Sequence, residues 1–96
     1  METREDYQAL MEKQLNEWKA QTELFKARSQ QIEAHAKAQY ERNLEVLRAK
    51  QAEAWENFYN LKGANENAWG QFKAHMDKAG GDVKAAVEQM TRIFKQ

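Results

Sequence analysis

The sequence predicts an all-α protein: a long N-terminal coiled-coil helix, then one or two shorter amphipathic helices, assembled as an oligomeric helical bundle. Three observations point there. Residues 1–62 contain neither glycine nor proline. Ala, Glu, Gln, Lys, Arg and Leu, all strong helix formers, dominate that stretch. Apolar residues recur every seven positions along the first part of the chain and every eleven along the rest.

The N-terminal unit, residues 1–62, reads as one helix. Thr3 is placed to cap its start, with Asp6 three residues on approximating a capping box. About 60 helical residues would reach roughly 90 Å, whereas a compact globule of this length has a radius of gyration of only about 13 Å. Met11, Trp18, Phe25 and Ile32 form one heptad column, and Leu15, Thr22, Ser29 and Ala36 the second. That is a coiled-coil seam with bulky residues on one side and mostly small ones on the other. The phase slips by four where Gln39 falls due and Tyr40 takes over; Tyr40, Leu47, Ala54 and Leu61 resume the seven-step. Such a stutter locally unwinds a left-handed supercoil.

The tail, residues 63–96, keeps to the eleven-step. Leu61, Phe72, Val83 and Phe94 lie on its centre line, flanked by Met76 and Val87 on one side and Ala68, Ala79 and Met90 on the other, with Phe58 and Trp69 widening the stripe. Eleven residues overshoot three turns by only about 20°, so this face stays nearly straight. Each anchor is succeeded by a lysine: Lys62, Lys73, Lys84 and Lys95. Gly63-Ala64-Asn65 reads as a weak break, with Asn65 a good cap for the next helix. Ala79-Gly80-Gly81-Asp82 reads as a turn at 80–81, giving a helix over 65–79 and a short one over 82–95.

The stretch Ala68-Trp69-Gly70-Gln71-Phe72-Lys73-Ala74, with Met76-Asp77-Lys78-Ala79 and Asp82-Val83-Lys84 and then Ala86, resembles the tail of small bacterial coiled-coil proteins. That family is linked to stress response and often labelled apolipoprotein-like. The resemblance implies a non-catalytic helical protein and brings no catalytic residues with it.

Fifteen basic and fifteen acidic side chains cancel, and residues 1–62 hold 10 and 11 of them, so neither part of the chain is a basic arm. Nucleic-acid binding, which draws its affinity from phosphate neutralisation, is not expected. Cysteine is absent, removing disulfides, thiolate metal sites and a cysteine nucleophile. The longest uncharged run is six residues, Asn67 to Phe72, far short of the roughly 20 that span a bilayer. METREDYQ at the start lacks the apolar core of a signal peptide, so a cytoplasmic location is expected.

Catalytic patterns fail in turn. Glu-x-x-His pairs would need glutamates where Ile32 and Phe72 stand before His35 and His75, and no His-Glu-x-x-His occurs. The carboxylates interleave with bases at helical spacing, as in Glu33-Lys37-Glu41 and Lys84-Glu88-Arg92, which describes a solvated face. Ser29 is the single serine, with no base near it in sequence, and no phosphate-cradling glycine loop exists. No catalytic, cofactor-binding or metal-binding residue is expected.

Two functions fit this pattern. In the first, a structural or interaction protein self-associates as a dimer or tetramer through the seam Met11, Leu15, Trp18, Phe25, Ile32, Tyr40 and Leu47, with room for another helical protein as partner. Its premise is that a tail of about 45 Å covers only half of a 90 Å helix. In the second, a peripheral protein coats a membrane, lipid droplet or polyester granule through the tail stripe Phe58, Leu61, Trp69, Phe72, Met76, Val83, Val87, Met90 and Phe94, with the four lysines as surface-charge contacts. Trp18, Trp55 and Trp69 suit either, as knobs between helices or as interface anchors. A mean hydropathy of −1.01 and the polar edge Asn60, Gln71 and Asp82 favour the first.

Overall fold

The computed structural model describes residues 3–95, with side chains as far as residue 93. Three helices fill almost all of it: α1 (Arg4–Arg28), α2 (Ala34–Lys62) and α3 (Glu66–Lys95). Among the described residues there is no strand. The helices lie side by side in up–down–up order, within 51 × 18 × 17 Å and a radius of gyration of 15.3 Å.

α1 starts as its sequence suggests. The Thr3 hydroxyl accepts from the Asp6 N–H at 3.1 Å, and the Thr3 N–H donates to the Asp6 carboxylate at 3.4 Å, which closes a capping box. The single helix expected over residues 1–62 does not form. α1 ends at Arg28, a short 3-10 turn covers Ser29–Gln31, and Ile32 and Glu33 are extended before α2 begins. No breaker residue causes this. Folding back sets the inner face of α1 against α2 and α3, where Met11, Leu15 and Phe25 are at most 5% exposed. Each such side chain contributes about 1.5–3 kcal/mol on burial, against about 1 kcal/mol net for each helical hydrogen bond forgone at the turn. Packing therefore overrides local propensity.

The second turn is local. Gly63 closes α2, its N–H donating to the Tyr59 carbonyl at 3.2 Å. The Asn65 side chain accepts from the Ala68 N–H at 2.9 Å, capping α3.

The turn expected at Gly80-Gly81 is absent, and the two tail helices expected over 65–79 and 82–95 are one continuous α3. Neither glycine has positive φ. Gly80 is buried against α1: a Cβ there would stand 3.3 Å from the Met11 methyl and 3.6 Å from the Trp18 ring. It admits a close approach of α1 and ends nothing. Gly81 faces open space.

These two glycines should respond differently to alanine. Gly81→Ala gains helix propensity with nothing to strike, so the unfolding free energy should rise by about 0.5–1 kcal/mol. Gly80→Ala should gain less or lose stability, because Met11 and Trp18 must give way. Destabilisation by Gly81→Ala in chemical denaturation would contradict a continuous α3.

Candidate functional site

The residues singled out in the sequence form one structure. Of the seam, Met11, Leu15, Phe25, Tyr40 and Leu47 are buried, and Trp18 and Ile32 are half-buried against the same cluster. Of the tail stripe, Phe58, Leu61, Met76, Val83, Val87 and Met90 are buried, with Trp69 and Phe72 packed at the margin. The Phe94 and Lys95 side chains lie outside the described residues. Seam and stripe meet each other in one core. The premise that the seam needs a second chain to cover it is thereby corrected, because α1 turns back at residues 29–33 and the chain covers its own seam.

Specific contacts fix how α1 sits. At its start, the Arg4 guanidinium donates to the carbonyls of Leu61 (3.4 Å) and Lys62 (3.2 Å), satisfying the end of α2, and lies 4.7 Å from the Trp69 ring centroid. Tyr7 meets Trp69 edge-on at 5.8 Å and donates its hydroxyl to the Asp77 carboxylate. In the second half of α1, a buried polar relay crosses the α1–α2 seam: the Gln51 amide donates to the Thr22 hydroxyl at 2.6 Å, which donates to the Trp18 carbonyl at 2.8 Å. At the hinge end, the Tyr40 hydroxyl donates to the Phe25 carbonyl at 2.6 Å. α1 thus runs antiparallel to α2 over its full length and parallel to α3.

The tryptophans all serve packing. Trp18 lies over Gly80, Trp69 against Tyr7, and Trp55 against Phe58 (6.0 Å, near-perpendicular) and Tyr59 (5.9 Å). The lysines stand at the shoulders of the stripe: the Lys62 ammonium is 5.6 Å from the Phe58 ring and that of Lys73 5.0 Å from the Tyr7 ring. Lys84 is exposed and borders the groove between α1 and α3. Long cationic side chains there cover aromatic edges while their charge stays wet.

Several core residues lie outside the columns read from the sequence. Tyr40, Leu44, Leu47, Gln51, Ala54, Phe58 and Leu61 are all buried at strict 4-3 spacing. Tracing only the seven-step from Tyr40 misses Leu44 and Gln51. Tyr7, four residues before Met11, and Ile93, three after Met90, continue their own seams and are buried.

Shallow open grooves flank α1. One, towards α2, is bordered by Asn16, Lys19, Glu23, Arg48 and Tyr59. The other, towards α3, is bordered by Leu10, Gln14, Glu17, Trp18 and Lys84. Leu10 and Leu24 on α1 are 44% and 47% exposed, and Val46 and Tyr59 on α2 more so. His35 and His75 are both exposed, His35 3.4 Å from Glu33. Among the described residues, no three His, Asp or Glu side chains stand close enough to hold a metal ion, and no helix is long and apolar enough to cross a membrane.

Comparison with family models, curated proteins and solved structures finds no match.

The polar relay predicts a non-additive pair. Thr22→Val alone strands the Gln51 amide and should cost about 1–3 kcal/mol, whereas Thr22→Val with Gln51→Leu should recover most of the loss. Urea denaturation of the four forms measures the coupling, and additive effects would contradict a shared buried hydrogen bond.

Tyr40 supplies a pH dependence. Burial holds its phenol above the ordinary tyrosine value, only partly offset by the nearby Arg28 charge. Its contribution is complete below the ordinary range of about 10 and is lost as pH climbs through the higher folded value. Tyr40→Phe should therefore be less stable than the parent at neutral pH, by about 1 kcal/mol, and lose less stability above pH 10. Parallel alkaline melting curves for the two proteins would contradict this.

Proposed function

We propose that this chain is a non-catalytic helical interaction module that works by association with other helices, copies of itself first. The observation that carries the reading is the uneven engagement of α1. Its inner face is in the core, yet it touches α3 least of the three helix pairs and leaves Leu10, beside the open groove towards α3, and Leu24 nearly half exposed. Scattered exposed leucines are ordinary on a surface; two on one edge of the least engaged helix mark where another helix gains most. The resemblance of the tail to small stress-associated coiled-coil proteins belongs to the same proposal.

The surface-coat reading rests on α3, the most strongly amphipathic of the helices. Its stripe is the bundle core, so coating a lipid or polyester surface would require the bundle to open and give up the burial of Met76, Val83 and Met90. That makes it the weaker of the two.

The two readings separate in one titration. Under the proposal, the weight-average mass by sedimentation rises with protein concentration in buffer, while tryptophan emission and the melting temperature ignore anionic phospholipid vesicles. A blue-shifted emission and raised helicity on vesicles, with a strictly monomeric mass in buffer, would replace the proposal by the coat.

A further inference from the structure

The reversal between α1 and α2 has no local cause. Residues 26–36, Lys-Ala-Arg-Ser-Gln-Gln-Ile-Glu-Ala-His-Ala, contain no glycine, proline or positive φ. The turn itself consists of two extended residues, Ile32 (φ −81°, ψ 136°) and Glu33 (φ −61°, ψ 148°), after one 3-10 turn. α2 starts without a side-chain cap and with no acidic residue in its first turn. Beside it stands the Tyr40–Phe25 hydrogen bond; the other contacts that hold the reversal are distant from it: the packing of α1 on α2 and α3, the Gln51–Thr22 relay and the Arg4 contacts at the far end of α2.

Straightened through residues 29–33, α1 and α2 become one helix of about 59 residues, roughly 88 Å long, with the turn's missing helical hydrogen bonds restored. The exposed inner face of α1 then fits one surface already present, the α2–α3 pair of a second copy. The pairing is antiparallel, from Phe25–Tyr40 beside the hinge to Arg4–Lys62 at the opposite end. A two-fold axis through the hinge therefore remakes the α1 contacts with α2 and α3 between chains instead of within one.

We propose that the chain dimerises by exchanging α1 with a second copy, residues 29–33 acting as the hinge. This rests on the self-association reading; the exchange covers the inner face of α1 and not the Leu10 and Leu24 edge. Both forms bury the same core, so the hinge and the entropy of association set the balance. The dimer fraction rises with concentration, and exchange is slow because α1 must leave the core to move.

Glu33→Pro separates the forms. In the closed chain, Glu33 already has a φ that proline adopts, and Ile32 before it is extended as a residue preceding proline prefers. In the straightened helix, the same proline removes a hydrogen bond and strikes the preceding turn, twice per dimer. The variant should keep the parent's helicity and melting temperature and lower dimer affinity by at least about a hundredfold. Ser29→Ala with Gln30→Ala, which raises hinge helicity, should increase the dimer several-fold, about threefold or more. It keeps the test decisive if the proline variant folds poorly.

Chain connectivity is read directly with cysteines at Lys19 and Ala52, which border the same α1–α2 groove in a chain otherwise free of cysteine. A short bis-maleimide should bridge them within one chain in the monomer fraction and between chains in the dimer fraction. A dimer that tolerates Glu33→Pro and bridges only within chains overturns the exchange while leaving self-association standing. A mass that stays monomeric at every concentration overturns both.

Discussion

The inner face of α1 must leave water, and the rest of the molecule is arranged around that requirement. Met11, Leu15 and Phe25 are buried in one core with the centre of the α2–α3 hairpin, although no glycine or proline in residues 1–62 marks a turn. Their burial outweighs a few helical hydrogen bonds at residues 29–33, so the reversal is a product of tertiary packing. The same requirement explains why Gly80 carries no side chain and why Arg4 reaches the last carbonyls of α2. Each lets α1 lie close along its full length.

A core this uniform fixes little about register, and the polar contacts supply what it lacks. The Gln51–Thr22 relay sits in the second half of α1, with Tyr40–Phe25 near its end and Tyr7–Asp77 near its start. Sliding α1 by one turn would strand at least one buried polar group, at a cost of about 1–3 kcal/mol each. Apolar stripes choose which faces meet, and these pairs choose where.

The helical class, the start of α1 at Thr3, the cap at Asn65 and most of the core are legible in the sequence because each depends on local pattern. The reversal is not, because its cause lies up to 57 residues away, between Arg4 and Leu61. One trace of it is visible in the chain: the four-residue phase slip before Tyr40 comes directly after the break. A slip in a continuous coiled coil and a change of helix leave the same mark. Gly80-Gly81 misleads for the opposite reason. A glycine that admits a neighbouring helix and one that ends its own look alike in sequence; Val83 keeping the eleven-step is the sign that the helix continues. The lysine at each shoulder of the stripe suits, in sequence, contact with an anionic surface. In the bundle, Lys62 and Lys73 cover the rings of Phe58 and Tyr7.

Small-angle X-ray scattering of the dilute monomer tests the central claim, that the chain folds back to bury its own seam. A folded-back chain gives a radius of gyration near 15.3 Å. A continuous rod through α1 and α2, about 90 Å long, gives roughly 26 Å. A monomer's forward scattering with a radius above about 20 Å would mean that α1 extends α2 even in the single chain, and the account of the core would fail.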